Sequence, residues 1–531
     1  MHPSLRVDEI LKLVAHEIVA ANQNATAVAL ARCCKCFEDP VLDALWETMF
    51  QFTNLLKTLP GEIWGPGGYQ VSIEITMIVF PIFNPSILKS FRRLLTVQEW
   101  ARFRTYARRM RKIEGHGTLD LLSSQVLSAL QLHTLNELLL PNLQSLWLWF
   151  TNLTEDFISF IPLFLSTKTT LIDIIFSGSD LHIAAIASMI TAFPKLCPNL
   201  YWIRFGGLPR DSMITDAVSE LVLRTGRNAL QYFSVDLPLT AEALEVICKH
   251  PDLSTLSTSF DWHTTLPTMA LPNLTDMDID GCYDHDWLQG FCGASLGKLT
   301  SVSISSHSDS TDEFLGAFKT VALTTSIPTT LSSLRYNTEC SWKPDYRPLL
   351  PFTQLRDLVI SSTCDIECSS TIDDNTITDL AQAMPQLEFL RLGNSPCETP
   401  AGVTAKGLTA LAYHCPHLFN LCIHFQVASL DPAVIPNLTP SDESTITRGG
   451  CALCSLQVGR IRVPEESTSM VASALVQIFP DLKEIECFDM GWEKVSLAMD
   501  HYRQLALVRN VYLPYLAVSL MMSPSLIGVI T

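Results

Sequence analysis

The hexad Leu-x-x-Leu-x-Leu, with substitutions, limits what this chain can fold into more than any other feature. It starts at Leu143, Leu171, Leu200, Leu230, Leu253, Leu274, Leu299, Leu331, Leu355, Leu387, Leu418, Leu453 and Leu482. Thirteen starts over that stretch give a mean spacing of about 28 residues. A hexad of this kind is a short strand with its leucines on one side. One such unit cannot bury its apolar face alone, so successive units must stack.

The segments between hexads support that reading. Proline often stands two residues before the hexad leucine, as in Pro141-Asn-Leu, Pro272-Asn-Leu and Pro480-Asp-Leu, where it stops a helix and sets up a strand. Helical periodicity follows many hexads: ITDAVSELVLRTG from Ile214, TAEALEVICKH from Thr240, TAKGLTALAYHC from Thr404. Thr240 and Thr404 are placed to cap their helices. The expected fold is α/β: a leucine-rich-repeat solenoid, a curved parallel sheet with outer helices, preceded by a small three-helix head. The expected organisation is a head over 1–50, a linker and N-terminal cap over 51–135 with a basic helix at 98–113, the solenoid over 136–495, and a C-terminal cap or apolar tail over 496–531. An acidic, serine-rich insertion at 426–452 reads as a loop.

The stretch LPNLTDMDIDGCYDHDW, from Leu271, poses a choice. Asp276, Asp278, Asp280, Gly281 and Asp284 match the opening of an EF-hand calcium loop, but position 12 is Trp287 where a bidentate glutamate belongs. The alternation with Leu274, Met277 and Ile279 fits a half-buried strand instead. The aspartates then form an acidic ladder on the concave face. Earlier units place Trp147, Trp149, Trp202, Arg204 and Tyr232 on the same face. Together with Asp276, Asp278 and Asp280 they are the expected target-binding residues, and they suit a partner segment carrying Lys or Arg beside a bulky apolar residue.

Composition narrows the function. Net charge is −18, which disfavours wrapping nucleic acid. Sixteen cysteines are scattered and the start MHPSLRVDEI lacks the pattern of a signal peptide, so a reducing compartment with free thiols is expected. The pairs Cys33…Cys36 and Cys451…Cys454 are far apart, and His414, Cys415, His417, Cys422 and His424 follow repeat spacing, so no metal and no cofactor is expected. No G-x-S-x-G, P-loop or Rossmann fingerprint occurs, and no enzyme is expected. The uncharged segment 510–531 is long enough to cross a bilayer, but Pro514 and Pro524 interrupt it; a membrane is not an expected partner, with this tail the one route to it. Residues 89–112 carry nine Lys or Arg against Glu99, and the expectation is a helix paired with the protein's own carboxylates.

The head pattern predicts three short helices: one striped by Ile10, Leu13, Val14 and Ile18, a second through Leu30, Cys34 and Phe37, and a third capped by Asp39 with Pro40 at its first position and Val41, Leu42, Leu45, Trp46 and Met49 on one side. This segment resembles an F-box, through Glu9-Ile-Leu, then Leu-Ala-Arg-Cys-Cys-Lys-x-Phe from Leu30, then Leu-x-x-Leu-Trp ending at Trp46. With the phrases EWARFRTYARRMRKI, LPNLQSLWLW and GLTALAYHCPHLFNLCIHF, residues 1–490 resemble the F-box and leucine-rich-repeat proteins of mushroom-forming (basidiomycete) fungi. Where such motifs often have Leu-Pro ahead of the Glu, Arg6-Val7 stands here. The resemblance implies the substrate-recognition subunit of an SCF-type cullin-RING E3 ubiquitin ligase in the cytoplasm, and in the nucleus as well. Leu5, Glu9, Ile10, Leu13, Leu30, Phe37, Leu42 and Trp46 would dock a Skp-type adaptor, and cullin through it, while the repeats hold an unknown protein target. The alternative is a repeat scaffold that no longer binds an adaptor.

Overall fold

The computed structural model describes residues 7–50, 52–64, 91–93, 95–116, 124–134, 138–150, 155–177, 182–225, 230–259, 270–282, 296–306, 315–316, 318–320, 327–338, 345–362, 372–393, 402–432, 451–458, 463–487 and 491–507. They fall into two units, Met1–Ser259 and Phe260–Thr531. The fold is α/β, and its described strands are parallel.

Unit one contains β1 (Thr48–Met49), β2 (Lys112–His116), β3 (Ser145–Phe150), β4 (Leu171–Phe176), β5 (Trp202–Gly206), β6 (Tyr232–Pro238) and β7 (Thr255–Ser259), each hydrogen-bonded to the next in chain order. Unit two contains β8 (Asp276–Cys282), β9 (Ser301–Ser306), β10 (Ser333–Thr338), β11 (Asp357–Ser362), β12 (Phe389–Leu392), β13 (Asn420–Ile423), β14 (Ser455–Val458) and β15 (Glu484–Cys487), again in chain order. One strand per repeat, paired only with its neighbours, is a solenoid-like arrangement. A backbone ladder sets the register. The carbonyl just before each strand accepts two N–H groups from the next repeat: Gln144 O from Thr170 and Leu171, Thr170 O from Tyr201 and Trp202, Tyr201 O from Gln231 and Tyr232. The same ladder runs through Thr275, Thr300, Ser332, Arg356, Glu388, Phe419 and Cys454 in unit two.

Each strand buries alternate residues. In β3 these are Leu146, Leu148 and Phe150; in β5, Ile203 and Phe205. Helices cover that buried face: Phe193, on the helix Ile183–Leu196, lies with its ring centroid 5.9 Å from Phe205. The other side of the sheet, here the open face, carries the intervening residues. Thr240 caps Ala241–Ile247 and Thr404 caps Ala405–His414, as expected. The second cap is reinforced from the preceding helix, since Asp374 accepts hydrogen bonds from the Thr404 N–H and hydroxyl and from the Gly407 N–H.

Two expectations need correction. Counted from Leu171, the second hexad should point Leu171 inward. The register is offset by two residues instead. Leu146 pairs with Ile172, so Thr169 takes the leucine position and Leu171 faces the open side between Ser145 and Trp202. Thr169 is fully buried there because its hydroxyl donates to Leu143 O (2.9 Å), and it accepts from Ser166 N–H (3.1 Å). A hydroxyl satisfied in this way removes the penalty that would exclude it from the core.

The second correction concerns the head. Its helices are α1 (Asp8–Ala20), α2 (Asn24–Cys33) and α3 (Lys35–Glu47). Cys34 lies between helices, Phe37 belongs to α3, and Pro40 sits inside α3 rather than at its start. Asp39 therefore does not cap α3. The buried stripe of α1 is Leu11 and Ala15, with Ile18 and Val19 beside it, and Leu13 is exposed. One helical position separates the two stripes, and only the packing partners Ala27, Phe37, Val41 and Ala44 select between them. No helix among the described residues is long and apolar enough to cross a membrane; the segment 510–531 lies outside the described residues.

Candidate functional site

The head joins the sheet without a spacer, because α3 ends at Glu47 and β1 begins at Thr48. Arg109 clamps this junction. Its guanidinium donates to Asp39 O (3.2 Å) and Asp39 Oδ1 (2.6 Å) and pairs with Asp43. Arg111 N–H donates to Glu47 O at 2.9 Å. The basic segment thus meets the protein's own carboxylates here. Its helix, Val97–Ala107, starts on a capping box of Thr96 and Glu99. Arg93 grips Glu99 with two hydrogen bonds of 2.8 and 2.7 Å, and together with the Thr96 N–H holds its carboxyl at about 2.

Of the expected adaptor residues, Glu9 and Leu13 are exposed and Ile10 is half-buried, all on α1. Leu13 is 65% exposed. Ile10 and Leu13, three residues apart, share one side of α1, and Val7, the extended residue just before the helix, is exposed as well. Leu30, Leu42 and Trp46 are half-buried, and Trp46 packs on Tyr106 at 4.8 Å. Phe37 is part of the head's own core. Leu5 lies outside the described residues.

A cavity of about 710 Å³ lies between the head and the first strands, lined by His16, Trp46, Glu47, Lys112 and Glu114 among others. His16 Nε2 is 3.2 Å from Glu47. Lys112 and Glu114 belong to β2, so this cavity adjoins the open face of unit one.

That open face is aromatic. Trp147 and Trp149 are 42% and 49% exposed. Trp202 lies flat on Tyr232, with centroids 3.6 Å apart and planes 4° from parallel. The Trp202 Nε1–H is buried and has no hydrogen-bond partner among the described residues. Cross-strand pairing sets a row: Glu114 beside Trp147, Trp147 beside Asp173, Asp173 beside Arg204. Asp173 is only 4% exposed, with Oδ2 3.6 Å from the Arg204 guanidinium. Burial pushes its carboxyl above the ordinary aspartate range, partly opposed by Arg204.

Asp173 is the residue that the hexad count misses. Counting from Leu171 aligns it with Ser145 and Trp202. The two-residue offset aligns it with Trp147 and Arg204. Threonine at 169 in place of a leucine, preceded by Ser166, was the available signal.

In unit two, Asp276 and Asp278 are exposed and Asp280 is half-buried, all on β8. The alternation is therefore a strand. Neighbouring carboxylates along a strand stand about 7 Å apart at their backbone, whereas calcium ligands all sit within about 2.6 Å of one ion. Gly281 has φ 73° at a register shift between Ile279 and Cys282, a bulge that takes glycine. Asp284 and Trp287 lie outside the described residues. Further along, Arg391 donates to Gln457 Oε1 (2.6 Å) and Gln457 donates to Glu486 (3.0 Å), a polar chain over β12, β14 and β15. The five His and Cys residues from 414 to 424 are dispersed: Cys415 is buried at a helix end, its thiol 3.6 Å from Met384 O, while Cys422 lies on β13.

The expected target residues therefore divide between the units. Trp147, Trp149, Trp202, Arg204 and Tyr232 share the open face of unit one; Asp276, Asp278 and Asp280 belong to unit two. No protein-family model matches the chain, and no curated protein matches it.

Proposed function

We propose that the chain is the substrate receptor of an SCF-type cullin-RING ubiquitin ligase, with an F-box head that docks a Skp-type adaptor and leucine-rich repeats that hold a protein target. The observation that carries this reading is the exposed Leu13 beside the half-buried Ile10 on α1 of a small three-helix head that continues directly into the repeat sheet. An exposed leucine beside half-buried apolar neighbours offers apolar surface that a partner can cover. A rigid junction, held by Arg109, would fix the target relative to the adaptor and so raise its effective concentration at the ubiquitin donor. On this reading the chain performs no chemistry of its own and works in the cytoplasm and nucleus.

The test is co-purification of a recombinant Skp-type adaptor with the full chain and with Leu13→Arg. An interface leucine replaced by a charge costs at least ~2 kcal/mol, so capture should fall by about 30-fold or more. Because Leu13 faces solvent, the variant should fold normally. Capture unaffected by Leu13→Arg, or absent with the unaltered chain, contradicts the reading.

A second reading keeps the repeats but not the adaptor: an interaction scaffold. Phe37 lies in the head's core and Trp46 packs on Tyr106, so two residues expected at the adaptor surface serve internal packing. The same co-purification decides between them.

A further inference from the structure

The open face of unit one holds a buried carboxylate, Asp173, paired in register with the exposed Trp147. Asp173 is almost wholly buried, and the Arg204 guanidinium stands 3.6 Å from its Oδ2. Arg204 approaches from β5. On the other side, toward β3, the neighbour is Trp147, whose indole cannot serve as a counter-ion. Beyond Trp147, on β2, comes Glu114. Adjacent strands are about 4.8 Å apart, so two carboxylates flank one exposed indole at about 5 Å on each side. Trp149 stands two residues further along the same strand and face.

We propose that Trp147, Trp149, Glu114 and Asp173 form the seat for a lysine or arginine side chain of the target protein. An indole face attracts a cation within about 6 Å of its centroid. A cation lying on Trp147 is also beside both carboxylates, to which its N–H groups can donate. The apolar neighbours Leu171 and Ile175, also on the open face, favour a bulky apolar residue next to the basic one. Charge complementarity selects the occupant: a phosphorylated or acidic segment would meet Glu114 and Asp173 and be repelled. Arg204 partly offsets the cost of burying the Asp173 carboxylate. This inference rests on the receptor reading for its biological partner, but its chemistry can fail separately.

The experiment is a random peptide array probed with the full chain, unaltered and as Asp173→Asn, Glu114→Gln and Trp147→Ala. Peptides selected by the unaltered chain should be enriched in Lys or Arg beside Leu, Ile, Phe or Trp. The best of them, measured in solution, should bind about 10-fold more weakly to each variant, and more weakly as pH falls and Asp173 gains its proton. Asp379→Asn, exposed on the helix Asp374–Ala383 of unit two, should leave that affinity unchanged. Glu114→Gln, on a half-buried side chain, keeps the test valid should Asp173→Asn disturb folding. Selection of acidic or phosphorylated peptides, no selection at all, or affinities equal in Asp173→Asn and Glu114→Gln to the unaltered chain would each overturn the proposal. Adaptor capture together with any of those outcomes leaves the receptor reading intact and removes this site; basic enrichment without adaptor capture does the reverse.

Discussion

Gly207→Val is expected to destabilise unit one by about 3 kcal/mol or more, enough to unfold much of it at physiological temperature. Gly207 has φ 69°, and a Cβ built there would lie 1.9 Å from the Phe176 carbonyl oxygen of the preceding strand. Neither fault can be relieved by a rotamer, because both belong to the backbone. Its N–H also donates to Asp236 at 2.6 Å, tying the end of β5 to β6. The left-handed conformation alone costs a non-glycine residue about 1–2 kcal/mol. Gly393 provides the comparison: φ is 90°, but a Cβ there would meet nothing within 4 Å. Urea denaturation of Gly207→Ala and Gly393→Ala should therefore differ, with only the conformational cost at Gly393. Equal losses would show that the contact with Phe176 is not what constrains position 207.

Trp492→Ala should cost unit two about 3–5 kcal/mol, the usual range for removing a buried tryptophan. Trp492 is among the largest fully buried side chains and opens the helix Trp492–Leu507, the last described element. Its ring meets Phe425 edge-on at 6.1 Å. The end of a stack of repeats exposes an apolar face that a terminal element has to cover, and this helix also packs on Thr468–Ile478. Loss of the indole should lower the urea midpoint of unit two and shift the tryptophan emission of the folded chain. A midpoint within error of the unaltered chain would show that the helix is not the cap.

How much of this was legible depends on where repetition supplied a template. The hexads from Leu143 to Leu482 predict strands two residues after the counted leucine, and β3 and β5 to β15 begin there. The exception, β4, starts on Leu171 itself, because a hydrogen-bonded threonine replaced the leucine and hid the register. Strands β1 and β2 had no comparable signal. Thr48–Met49 is two residues long, and KIEGH offers only Ile113 as an apolar marker at the end of a strongly basic run. Both are held by pairing to the sheet rather than by their own pattern. In the head, α1 carries apolar residues on more than one side, so periodicity could not distinguish the stripe through Leu11 from the one through Leu13. The aromatic half of the open face was visible as tryptophans at alternate positions. The buried carboxylate among them was not, since its neighbours come from strands about 30 residues away.

A sandwich capture measures the account most directly. A Lys-containing peptide selected on the array is immobilised, the full chain is added, and then the Skp-type adaptor. Two docking surfaces on one chain predict that peptide, chain and adaptor are retained together, that Leu13→Arg loses only the adaptor, and that Asp173→Asn weakens only the retention of the chain. Adaptor that never appears on chain-loaded peptide, or that displaces the chain from it, would contradict the account.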